Sequence, residues 1–315
     1  MIERRTIRFD HELLSELELP CFEANGARDG PHLCLLGGVH GGEYSSIAAV
    51  VRFMQALDTS RLSGRITAVP IVSMSSFRAR TAFVVPEDGK NLNRCFPGSR
   101  DGTFADALAW HVFHELIEPS DALIDLHGGD MVESLEPFAI YDESPVEGRA
   151  RALAMAFGLP YVVRSATGDT PVSGMTSSAA AAVGIPAVIA EAGGCGLLDE
   201  DAVQLHLRGL ANALRRLDML PGEASPPGPG MRNVGRFVWL HARRAGWWEP
   251  DVRAGDERPA GSCLGTVRDL FGDVVERIEA PEDGVVLFLT SSPAVAAGGL
   301  LLGLGAEVVP IQIRA

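Results

Sequence analysis

At 315 residues, 46% hydrophobic and 22% charged, the chain has ordinary globular composition and room for one large domain or a large and a small one, which excludes a disordered or fibrous protein. Its net charge of −14 argues against nucleic-acid or anionic-membrane partners, because neutralising phosphates takes a basic surface. The start, "MIERRTIRFDHELL", has no apolar signal region and no later segment reaches 18 uncharged apolar residues, so a cytoplasmic protein without a membrane span is expected.

Short apolar runs then alternate with helical patterns. "HLCLL" (32–36) predicts a buried strand, "EYSSIAAVVRFMQALD" (43–58) a helix, "RITAVPIVS" (65–73) a strand and "TFADALAWHVFHELI" (103–117) an amphipathic helix. "ALIDLH" (122–127) predicts a strand, "VEGRARALAMAFG" (146–158) and "TSSAAAAVG" (176–184) helices, "PAVIAEAGG" (186–194) a strand, and "DEDAVQLHLRGLANALRRLDML" (199–220) a long helix. Strands apolar throughout, alternating with helices, point to an α/β domain with a largely parallel or mixed sheet. At "PGEASPPGPG" (221–230) proline and glycine stop the helix and leave nothing to bury, which predicts a linker. Beyond it, glycine-punctuated runs such as "DVVERIEAPEDGVVLFLT" predict a smaller all-β domain over 231–315. The expected organisation is therefore an α/β domain over 1–220, the linker and the β domain.

Three places put polar groups just past predicted strand ends. His40 and Glu43 follow "HLCLL" in "GGVHGGEYSS", His127 closes "ALIDLH", and Glu191 follows "PAVIA". Loops beyond strand ends form the ligand crevice of open α/β sheets, so these four can converge. Two histidines and one carboxylate leave zinc an open position, and the spare carboxylate can act as a general base. Glycines around His40 let the backbone turn so that His40 and Glu43 face one ion. A rival set, His111, His114 and Glu115 in "HVFHE", shares a helix face but lies away from any strand end. Asp125, two residues before His127, could orient that histidine. The five cysteines, odd in number and without a C-x-x-C pair, suit reduced thiols better than disulfides or a zinc ribbon.

Taken together, "GGVHGGEYSS", "DGKNLNRCFPG" (88–98), "DLHGG" (125–129) and "AEAGG" (190–194) resemble the succinylglutamate desuccinylase/aspartoacylase family. The resemblance implies a carboxypeptidase-like mixed sheet flanked by helices, one Zn²⁺ per chain held by His40, Glu43 and His127, and hydrolysis of N-acyl amino acids. Carried over by motif, Glu191 is the catalytic base and Asn93 and Arg94 grip the substrate's free carboxylate, a task suited to arginine's planar fork. The resemblance also implies an upstream arginine at the oxyanion; spacing favours Arg80 over Arg78. A peptidase or amidase acting on small peptides or peptidoglycan fragments is the alternative, and association into a homo-oligomer is left open. The C-terminal "AP-x-x-G" and "V-x-x-G-x-x-L" rhythm resembles biotinyl and lipoyl carrier domains. The sole lysine, Lys90, lies far from the tip sequence "TSSPAV", which excludes cofactor attachment. The β domain is instead expected to cap the cleft and limit which acyl groups enter.

Overall fold

The computed structural model describes residues 1–166, 173–226, 228 and 230–311; Pro227 and Pro229 of the expected linker and the last four residues of the expected β domain lie outside the described residues. The strands are β1 (Ile2–Ile7), β2 (Leu19–Asn25), β3 (Arg28–Gly37), β4 (Ser63–Val69), β5 (Ala122–His127), β6 (Glu133–Leu135), β7 (Phe138–Asp142), β8 (Tyr161–Ser165) and β9 (Ala187–Glu191). They continue with β10 (Arg232–His241), β11 (Gly246–Pro250), β12 (Glu257–Arg258), β13 (Cys263–Arg268), β14 (Val274–Glu279), β15 (Gly284–Thr290), β16 (Ala294–Val295) and β17 (Leu300–Pro310). The helices are α1 (Tyr44–Ala56), α2 (Met74–Ala79), α3 (Phe104–Val112), α4 (Glu147–Phe157), α5 (Thr176–Ala182) and α6 (Glu200–Arg216).

Among the described residues, one mixed sheet runs in the order β1-β2-β4-β3-β5-β9-β7-β8-β10-β17-β15-β12, with β6 attached to β15. Its centre is parallel: β3 pairs with β4 and β5, and β5 with β9. Side-chain alternation along β3 explains why the run is apolar throughout. Leu33 and Leu35 enter the core under α1, α4 and α6, while Cys34 and Leu36 enter the opposite core with α3 and α5. Strand β4 ends at Val69, short of the predicted run, because Pro70 follows and cannot donate to the ladder. Helix α6 starts where the Asp199 side chain accepts from Asp201 N at 2.9 Å, and its acidic first turn and basic last turn complement the helix dipole.

The sheet continues across the proline/glycine segment. β10 pairs in parallel with β8, then β17 and β15 follow antiparallel. A second sheet, β14-β13-β11-β16, packs its Trp248, Leu264 and Val267 into a core shared with Leu301 and Leu302 of β17. No helix among the described residues is long and apolar enough to cross a membrane.

Candidate metal centre

The ends of β3, β5 and β9 open on one cavity of about 430 Å³, and His40, Glu43, His127 and Glu191 all line it. His127 and Glu191 are the last residues of neighbouring strands and sit opposite each other in register. Glu43 stands at the start of α1, three residues beyond His40. Glycine is required in this turn more by packing than by conformation. A Cβ on Gly41 would collide with the backbone at Phe77, and one on Gly42 with the Asp130 carboxylate; of the three glycines at 38, 41 and 42, only Gly38 has positive φ, at 57°.

His40, Glu43 and His127 are buried, and each offers one donor atom such that all three lie within 4.8 Å of one another. The outward nitrogens fix the tautomers. His127 Nε2 lies 2.9 Å from Asp125 Oδ2, and with that oxygen accepting, Nε2 carries the hydrogen. Thr176 Oγ1 donates to the same Asp125 oxygen at 2.5 Å. His40 Nε2 lies 3.0 Å from Asn91 Oδ1, identified as the amide oxygen because it also accepts from Asn93 N at 2.9 Å. In the neutral rings both Nδ1 atoms thus turn their lone pairs toward Glu43, at 2.8 Å for His40 and 3.1 Å for His127. Three inward-facing acceptors repel one another unless a cation sits among them, and Glu43 Oε2 has no hydrogen-bond donor. The donor set fits a divalent ion.

Protons can also take a cation's part among these groups. Burial opposes charge on His127, but Asp125 and Glu43 outweigh it and hold its pKa well above the ordinary histidine range. Burial likewise works to raise Glu43, and His127 and His40 overcome it, holding Glu43 down at about 2. Glu191 behaves oppositely: burial, with Glu43's charge added and the two histidines opposing, lifts it to about 7.

Of the other expected residues, Asn93 and Arg94 line the same cavity. Asn93 is buried, with its side-chain oxygen accepting from Thr176 N at 3.0 Å. Arg94 is open to the cavity, with Nη1 donating to Asn93 O at 2.6 Å; desolvation lowers its pKa against the opposing charges of Glu191 and Glu133. Arg80 and Arg78 are not brought to the site. Arg80 ends α2 in the left-handed region at φ 55°, both are exposed, and neither lines the cavity. That stretch instead sends Phe83 inward, its ring edge-on to His40 at 5.7 Å and its N–H donating to Asp130 Oδ2 at 2.6 Å. In the rival cluster each histidine bonds its own carboxylate four residues on, His111 to Glu115 at 2.5 Å and His114 to Glu118 at 2.7 Å.

Three features escaped sequence reasoning. Asn91 lies inside the "NLNR" stretch and was within reach of it. Glu133 sits on a three-residue strand with no pattern to mark it. The third is the apolar wall of Phe237, Trp239 and Phe288 from the C-terminal strands, with ring centroids 4.9 to 5.7 Å apart and no acceptor for Trp239 Nε1 among the described residues.

Residues 29–217 match the family model described as succinylglutamate desuccinylase/aspartoacylase catalytic domain. The chain is 31% identical over 291 residues, 89% of its own length and 83% of the relative's, to an N-alpha-acetyl-L-2,4-diaminobutyric acid deacetylase of Halomonas elongata. Its fold is similar to a succinylglutamate desuccinylase/aspartoacylase structure from Rhodobacter sphaeroides, with TM-score 0.83, 24% identity, and 96% and 95% of the two chains covered. It is similar as well to the product-bound ectoine utilization protein EutE (DoeB) of Ruegeria pomeroyi, with TM-score 0.84, 24% identity and the same coverage.

Proposed function

The chain belongs to the succinylglutamate desuccinylase/aspartoacylase family, a family of deacylases, and from that premise we propose that it is a zinc-dependent amidohydrolase that removes the acyl group from an N-acyl amino acid. The observation that carries the reading is the convergence of two imidazole lone pairs and one carboxylate within 4.8 Å, with a second carboxylate, Glu191, one strand away. His40, Glu43 and His127 would hold the ion; when bound, it supplies Lewis acidity for a water and for the acyl carbonyl. Asp125 and Asn91 keep the imidazoles turned toward it.

The chain's own residues do the rest. Glu191, with its pKa lifted to about 7, is poised to accept a proton from the attacking water and deliver it to the leaving nitrogen. Arg94 supplies the planar fork for the amino acid's carboxylate. Asn93, with its oxygen engaged by Thr176, has its amide nitrogen left to offer. The relative from Halomonas elongata, named as deacetylating an N-acetylated amino acid, supports this substrate class. The test is metal analysis of the purified protein together with hydrolysis of a panel of N-acyl amino acids and short peptides. About one zinc per chain and turnover of acyl amino acids are expected; a metal-free active enzyme, or turnover confined to peptides, overturns the proposal.

A further inference from the structure

Glu133 is the cavity carboxylate that the proposed chemistry does not use. Its backbone is fixed: its N–H donates to Asp130 O at 3.3 Å, and its carbonyl accepts from Cys195 N at 2.8 Å. Among the described residues its carboxylate has neither a hydrogen bond nor an ion pair, although it lines the cavity. It faces Thr290 across the β6–β15 ladder, and the next rung on the same face pairs Leu135 with Phe288. The carboxylate thus stands at the polar end of an apolar strip, and Arg94, the one arginine or lysine among the cavity-lining residues, is committed to a substrate carboxylate under the deacylase reading.

A carboxylate set in a cavity wall with no hydrogen-bond or ion-pair partner is a costly arrangement unless a ligand brings one. We propose that Glu133 is a specificity-determining residue that receives the cationic end of the substrate's side chain, so that the preferred substrates are N-acyl derivatives of basic amino acids such as α,ω-diamino acids. The methylene stem of such a side chain fits the Leu135–Phe288 rung, while its ammonium reaches Glu133 beside the Phe288 and Trp239 rings. An acidic side chain would meet two carboxyl groups, Glu133 and Glu191, and no cation to pair with at that end of the cavity. Burial and the charge of Glu191 push the Glu133 carboxyl up to about 8, the behaviour of an acid lacking a cationic partner.

This inference rests on the deacylase reading but can fail separately from it. Hydrolysis is measured on N-acetyl-ornithine, its neutral isostere N-acetyl-norleucine and N-acetyl-glutamate, in wild type and Glu133→Gln. The cationic substrate is expected to lead the neutral one by about 10- to 100-fold in kcat/KM, the range for a hydrogen bond to a charged group. Glu133→Gln should bring that ratio close to one. Equal wild-type use of cationic and neutral substrates, or an unchanged ratio in the variant, overturns the proposal. Calorimetric binding of free ornithine against norleucine gives a readout that needs no turnover. A preference for ornithine that Glu133→Gln removes upholds the role of Glu133 even if every acyl amino acid proves inert, in which case the deacylase reading alone falls; equal binding overturns it.

Discussion

The two walls of the cavity are built on different principles. The wall from β3, β5 and β9 is polar, and nearly every group on it is held by a hydrogen-bonded partner: Asp125 behind His127, Thr176 behind Asp125, Asn91 behind His40. The wall from β10, β15 and β17 is mainly apolar and aromatic: its rings rest on one another, and Trp239 Nε1 has no acceptor among the described residues. Hydrogen bonds fix atoms to the tolerance that metal chemistry needs, whereas packed rings set volume and shape. On the proposed function, the difference gives reaction to the first wall and choice of substrate to the second.

The sharpest way to break this division is to damage the polar wall and look for effects on choice alone. His40→Ala should remove most of the zinc, from about one ion per chain to near none, and should abolish turnover while circular dichroism keeps the fold; intact metal content would refute the assignment. Glu191→Gln should keep its metal and lose about 10²- to 10⁴-fold in kcat, the range for removing a general base, with KM nearly unchanged. Arg94→Lys retains the charge but not the planar fork, and its KM should rise about tenfold with kcat little affected. On the other wall, Phe288→Leu should alter relative kcat/KM among acyl amino acids by less than about tenfold, leaving metal content as it was. If that variant instead lost zinc, the two walls would not be separable.

The smallest effect concerns the backing of the polar wall. His206 on α6 is fully buried, with Nε2 at 3.1 Å from the His127 carbonyl, and burial depresses its pKa from the ordinary 6.5 to about 4. The unfolded chain therefore binds a proton between those values that the folded chain refuses. Stability is fully present above 6.5 and falls as the pH drops toward 4, by at most roughly 3 kcal/mol from this group. Urea melts of metal-stripped protein across that interval should show the slope, and His206→Asn should flatten it.

The polar wall was legible in the sequence because each of its groups sits at the end of an apolar run that predicts its own strand. His127 and Glu191 close "ALIDLH" and "AVIAE", and the register of β5 with β9 does the rest. The other wall was not legible, since nothing local links Phe288 to Leu135 or Thr290 to Glu133; those pairings exist only once distant strands meet. Arg80 shows the limit of spacing as a guide. In the loops between α2 and "NLNR" no periodic structure ties sequence distance to position, and Phe83, not an arginine, reached the cavity. The glycines near His40 were legible as necessary, though the physical cause is close approach to Phe77 and Asp130, not a demand for positive φ at each.

The placement of β10 beside β8 has a consequence for how the protein is made. All three candidate metal ligands, and Glu191, precede residue 192, while the strands that enclose them begin at Arg232. A chain emerging from the ribosome N-terminus first exposes the complete ligand set before its aromatic cover has been synthesised. On the proposed zinc reading, loading with metal can therefore precede enclosure during biosynthesis.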